Sequence, residues 1–235
     1  MVIRSVIGAM LVLAATPALA ADQRFSIGSY DELIVEGDVI VNLETGKAPS
    51  AKAQGPRDKL GALRVERQGN VLRIRSVGLQ GLQDRQSEEG PVTIAITGRD
   101  IKRVALIGSG RINASALNAT TTHVELRGSG SIDIASLKAF RLVTMMAGNG
   151  RLTIAKGEVV NTELAIDGSA HAISAGLVTQ NLKLVQNGPA STLMTVTNIA
   201  EINNTGAGSI TIEGKGACQV RKAGSATINC KKEQK

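Results

Sequence analysis

Few side chains in this sequence can do chemistry, and their spacing limits what that chemistry is. Histidine occurs twice, at His123 and His171, and cysteine twice, at Cys218 and Cys230. Neither histidine has a cysteine or a set of carboxylates at metal-ligand spacing, so no metal site is expected. The cysteines lack the C-x-x-C arrangement of a redox centre. Cleaving a glycosidic bond needs two carboxylates facing it, about 5 to 9.5 Å apart. Asp133 and Asp167 both point outward by parity but fall on opposite sides of a corner, two coils apart, and Glu125 has no carboxylate companion. The recurring G-x-G invites a dinucleotide reading, which needs a third glycine and a following helix. Asn113, Asp133 or Thr153 stands at that third place, in strand-like sequence. No cofactor is expected.

Arginine offers more. Arg111, Arg151 and His171 hold equivalent places in successive segments, with Ser131 between the two arginines and Arg127 just across a corner. A row of guanidinium groups suits phosphate or carboxylate, which it can grip with two hydrogen bonds at once. Lys102, Arg103, Arg141 and Lys183 add charge nearby, and the whole chain carries +7. Such a balance favours acidic partners: an anionic envelope polysaccharide or lipid, or an envelope protein. Nucleic acid is not expected, because two Phe, one Tyr and no Trp leave almost nothing for bases to stack on.

The elements that must position these residues are written in a repeat. Small-residue corners begin at Gly108, Gly128, Gly148, Gly168, Gly188, Gly206 and Gly224, at spacings of 20, 20, 20, 20, 18 and 18 residues. Second glycines follow at Gly110, Gly130, Gly150 and Gly208. Around each corner apolar and polar residues alternate with the period of a strand. One such strand pair cannot bury its own apolar face, but a stack of them can. The expected fold is therefore all-β: a single-domain, right-handed parallel β-helix (a solenoid) with coils of roughly twenty residues. Each coil has two short strands, with a third apolar position at Leu117, Leu137 and Leu177 adding a small contact. Glycine recurs because the corner needs positive φ or close backbone approach to the next coil.

Residues 101–230 hold the repeat coils, and residues 21–100 read as less regular strands. Those strands are expected near Leu33–Val35, Val39–Leu43, Leu63–Glu66, Val71–Arg75 and Val92–Thr97. The stretch TGKAPSAKAQGPRDK reads in part as a loop, and Val77–Pro91 as an exposed excursion.

The order of elements resembles a known family. SYDELIVEGDVIVNLETG, LRVERQGNVLRIRS and VTIAITGRDIKRVALIGSG, followed by the GSG corners, are similar to the bacterial exported family called putative auto-transporter adhesin, head GIN domain. The resemblance runs from Phe25 to Ile228. It departs at the end, where SATINCKKEQK stands in place of an aromatic-bearing closing strand. It implies a β-helical fold and an envelope location, and it carries no established catalytic residues.

Three further expectations follow. Residues 1–20, with Arg4 before an apolar run and TPALA before Ala21, read as a signal peptide cleaved after Ala20. The domain is then residues 21–235, in the periplasm or at the cell surface, with no membrane span in the mature chain. Cys218 and Cys230 face inward by parity, either bridged across the last coil or held as two buried thiols. Bridging requires the two walls to converge there, because sheets packed about 10 Å apart are too distant. Ala105, Met145, Ala165 and Val185, with Ile107 and Ala147 beside them, form an outward apolar strip that the excursion covers or a partner meets. The function expected is a non-catalytic envelope or surface binding module. A carbohydrate-active β-helix enzyme and a purely structural spacer are the alternatives.

Overall fold

The computed structural model describes residues 21–76 and 90–231. The chain opens with β1 (Ala21–Phe25), β2 (Glu32–Glu36), β3 (Val39–Thr45) and β4 (Ser50–Gly55). A one-turn helix α1 (Arg57–Gly61) follows, then β5 (Leu63–Gln68), β6 (Val71–Ser76) and β7 (Val92–Gly98). The repeats supply β8 (Arg103–Gly108), β9 (Arg111–Ala114), β10 (Leu117–Gly128), β11 (Ser131–Ile134), β12 (Leu137–Gly148), β13 (Arg151–Ile154) and β14 (Gly157–Gly168). The chain goes on through β15 (His171–Asn187), β16 (Ser191–Asn204), β17 (Ser209–Glu213), β18 (Ala217–Lys222) and β19 (Thr227–Cys230).

Parallel pairing stacks these strands as the repeat requires. Val104 meets Val124, Val124 meets Thr144, and Thr144 meets Leu164 on one wall. Ile112, Ile132 and Leu152 run in register on the short wall beyond the corner. Val, Ile, Leu and Ala from both walls make one continuous buried core. The sequence expected only a small contact at Leu117, Leu137 and Leu177. Leu117 and Leu137 instead open twelve-residue strands, β10 and β12, and Leu177 lies within β15, so each coil gains a third face. In β10 its Asn118, Ala119, Thr120 and Thr121 are half-covered or exposed, which hid the alternation. Ala139, Val159 and Thr179 are buried on this face in later coils, and Thr122 and Leu142 where it meets the long wall.

The corners hold the stack together. Gly108, Gly128, Gly148, Gly168 and Gly188 all have positive φ. Gly206 does not, and there close approach rules: a Cβ would overlap the backbone of Gly188. The spacing falls from 20 to 18 residues because β16 skips residues at the bend. Ser174 and Val178 of β15 pair with the adjacent Met194 and Thr195, and a one-residue shift further on restores part of the difference.

The N-terminal region is more regular than expected. β2 pairs with β8 and β3 with β9, so VEGDV is itself a corner stacked on GSG. β6 and β7 pair in turn with β2 and β3, adding one more level. This end is closed by antiparallel strands: β5 lies on β6, β4 on β7 and β1 on β4. Ser50–Gly55, read in part as a loop, is thus a strand, because Ala51 and Ala53 are buried against Ile96 and Ile94 of β7. The α1 turn and the β1 strand were not foreseen. The Val77–Pro91 excursion lies, apart from Gly90 and Pro91, outside the described residues, as does the 1–20 segment.

Polar ties bind this cap to the repeats. The Tyr30 hydroxyl donates to the Thr97 carbonyl at 3.0 Å, and burial pushes its phenol above the usual range. Asp31 accepts from Lys102 at 2.8 Å and from Asn70 at 2.6 Å. Those bonds, Lys102 first, hold the Asp31 carboxyl below its ordinary value. A depressed acid stabilises the fold above its unfolded pKa, about 3.9, and loses that contribution as pH falls through the folded value. Asp31→Asn should therefore melt slightly below wild type at pH 7, a small gap for a surface pair. Thermal melts should show that gap closing towards pH 3; a gap constant with pH would refute the tie.

Candidate functional site

The short wall carries the arginine column. Ile40, Arg111, Ser131, Arg151, His171, Ser191 and Ser209 pair in sequence across successive coils. Strand spacing puts Arg111 and Arg151, two coils apart, at about 10 Å. Both are exposed and His171 is half-buried. The column forms the floor of a groove of 530 Å³, with Asp38, Asp133, Asn149 and the corner serines Ser109 and Ser129 along it.

Charge pairing separates these cations from Arg103, Arg127, Arg141 and Lys102. Arg103 reaches Glu125 at 2.7 Å, and Arg127 reaches the same carboxylate at 2.6 Å. Arg141 pairs with Glu163 at 2.6 Å and Lys102 with Asp31 at 2.8 Å. Arg111 and Arg151 have no ion pair among the described residues. Arg127 therefore stands across the corner, as its position implied, but on another wall and committed to Glu125. Ser131 adds a second feature: its hydroxyl is buried between the arginines without a hydrogen-bond partner among the described residues.

Asp133 and Asp167 lie on opposite sides of the corner, as their places in the repeat imply. Asp133 lines the groove, whereas Asp167 stacks on Ala147 of the long wall. Asp38 joins Asp133 instead. Its signal was legible: VEGDV alternates around a glycine exactly where a repeat corner would, so Asp38 occupies the place of Ser109. No group of His, Cys, Asp or Glu that could hold a metal is gathered among the described residues.

The apolar strip is interrupted at Glu125, between Ala105 and Met145, and runs on from Met145 through Ala165 to Val185. Ala105 faces outward by register yet is only 1% exposed, because its neighbours Ile34 and Glu125 have longer side chains that close over a single methyl. Met145 and Ile107 do stand exposed. A patch the sequence did not reveal lies on the third face, where Phe140 and Val178 border a groove of 610 Å³. Cys218 and Cys230 form a disulfide with a Cα separation of 6.6 Å. Their walls do converge at the last coil. Neither sulfur position is a buried interior one, however: Cys218 is half-buried and Cys230 exposed, because no coil covers this layer among the described residues.

These features define a class: a β-solenoid with a polar, cationic groove along one flat wall, closed at one end by antiparallel strands. Residues 29–232 match the family described as putative auto-transporter adhesin, head GIN domain, and the chain belongs to that family. Solved structures share the fold. A putative adhesin from Bacteroides fragilis is 16% identical, with a TM-score of 0.78, over 90% of this chain and 97% of its own. A putative lipid binding protein from Parabacteroides distasonis is 18% identical, with a TM-score of 0.68, over 93% and 98%. A putative adhesin from Parabacteroides merdae is 16% identical, with a TM-score of 0.65, over 93% and 98%. No curated protein matches the sequence. No helix of the described residues is long and apolar enough to cross a membrane.

Proposed function

We propose that this protein is a non-catalytic binding module of the cell envelope or surface, adhesin-like, exported by cleavage after Ala20, that holds an anionic glycan or envelope polymer along the short wall. One observation carries the reading. Among the described residues Arg111 and Arg151 are the groove's arginines without an ion pair, and they flank the Ser131 hydroxyl, which has no hydrogen-bond partner there. Successive acidic groups of an extended polymer would meet successive cations, while Ser131 and Asn149 offer hydrogen bonds to its hydroxyls.

The test is binding of polygalacturonate, with dextran as the neutral polymer and phosphatidylglycerol vesicles as the lipid anion, at physiological salt. Saturable binding of polygalacturonate alone is expected. Arg111→Glu with Arg151→Glu should weaken it on the order of a hundredfold, since each removes a charge-assisted contact of about 1.5 kcal/mol. Binding that salt abolishes, or that the variant retains, would overturn the reading and leave a structural spacer. A second reading rests on Asp38 and Asp133, two carboxylates in one groove. Release of reducing ends from the polymer, lost in Asp133→Asn, would make the protein a carbohydrate-active enzyme instead.

A further inference from the structure

The parallel stack ends at the last coil. Among the described residues β18 pairs only with β16, and β19 only with β17, so one edge of each strand offers its backbone N–H and C=O groups to solvent. The interior is open there too. Val220 continues the column below Ile202 and Ile228 the column below Ile210, yet Val220 is 45% exposed and Ile228 only partly buried. The disulfide ties the two edges together, so they form one rigid end rather than two loose strands. An uncovered edge above an uncovered apolar layer is the geometry to which an extended strand adds.

Charge selects the strand. Lys215, Arg221, Lys222 and Lys231 are all exposed on this coil, none is in an ion pair among the described residues, and no acidic residue lies between Gly214 and Lys231. Cations at an edge repel a second copy of the same end. The residues Lys232 to Lys235 contain no apolar side chain, so they cannot supply the apolar half of a cover. We propose that the β18–β19 end is a docking edge for an extended acidic protein segment, whose alternate apolar residues cover Val220 and Ile228 while its carboxylates meet the cationic rim. This surface is distinct from the arginine groove, and its partner is a protein strand.

The probe is a synthetic octapeptide alternating valine and glutamate, offered to the full protein beside a valine–lysine octapeptide and phosphatidylglycerol vesicles. Saturable binding of the acidic peptide is expected, with slowed hydrogen exchange confined to the amides of β18 and β19. N-methylation of alternate peptide bonds should abolish it, because the edge bonds are then lost. Charge reversal at Arg221, Lys222 and Lys231 should weaken the acidic peptide roughly tenfold or more and admit the lysine peptide. The Arg111→Glu, Arg151→Glu protein should bind the peptide as wild type does, which separates this edge from the groove. Equal binding of the N-methylated peptide, exchange protection elsewhere, or binding of the vesicles in place of the peptide would each overturn the proposal. So would peptide-independent self-association through this end in sedimentation.

Discussion

Replacing Gly128 by valine should destabilise the protein by on the order of 3 to 5 kcal/mol. Two effects combine at this corner. Its φ of +110° is a conformation that a β-branched residue adopts only under strain, about 1 to 3 kcal/mol. A Cβ there would also sit 2.5 Å from the Gly108 carbonyl oxygen of the coil above, which is backbone and cannot swing aside. Forcing such an overlap adds a further 1 to 3 kcal/mol or so. Gly46 separates the two effects. Its φ is also positive, at +82°, but a Cβ added there meets nothing within 4 Å. Gly46→Ala should thus lose only the conformational part, about 1 kcal/mol. Urea denaturation of both variants measures the difference, and equal losses would show that coil-to-coil contact contributes nothing at the corner. Because each level of a solenoid touches only its neighbours, the Gly128→Val lesion should weaken the stack at its middle.

That corner is also where the sequence was most readable. Glycine in register every twenty residues states both the stacking and the reason for it, and inward Val104, Leu106 and Ile112 follow by alternation. Less readable was anything whose environment is set by a neighbouring coil. Ala105 looks outward from its own strand, and only the register beside Ile34 and Glu125 buries it. Ser50–Gly55 reads as loop because alanine and glycine carry little strand signal; antiparallel pairing with β7 makes it a strand. The arginine column was legible as a column, since one repeat position recurs. The ion pairs of the other arginines were not. Glu125 takes both Arg103 and Arg127, from different coils, and that pairing is what distinguishes Arg111 and Arg151 from them. Asp38 was missed because its corner has only one glycine, although its strands pair with those flanking Ser109.

Removing the Cys218–Cys230 bond should act on one end of the molecule. The cysteines are 12 residues apart in sequence, and closing a loop of that size stabilises by about 3 kcal/mol in the chain-entropy account. In a globular core such a loss is shared by the whole structure. Here β18 and β19 have one neighbour each among the described residues, so the terminal coil can open while the coils below it stay paired. Reduction, or Cys218→Ala with Cys230→Ala, should accordingly speed hydrogen exchange of the β18 and β19 amides about a hundredfold, the equivalent of roughly 3 kcal/mol. Amides of β10 and β12 should exchange as before. Uniform acceleration through the stack would mean that the end coil folds with the rest as a unit, and no acceleration would mean that Val220, Ile228 and the ladder bonds hold it alone. The first outcome expected, local opening, bears directly on the docking edge. An acidic strand can add only to an edge that is already fixed, so the reduced protein should bind the valine–glutamate peptide more weakly while its arginine groove, which begins three coils away at His171, keeps its affinity for polygalacturonate.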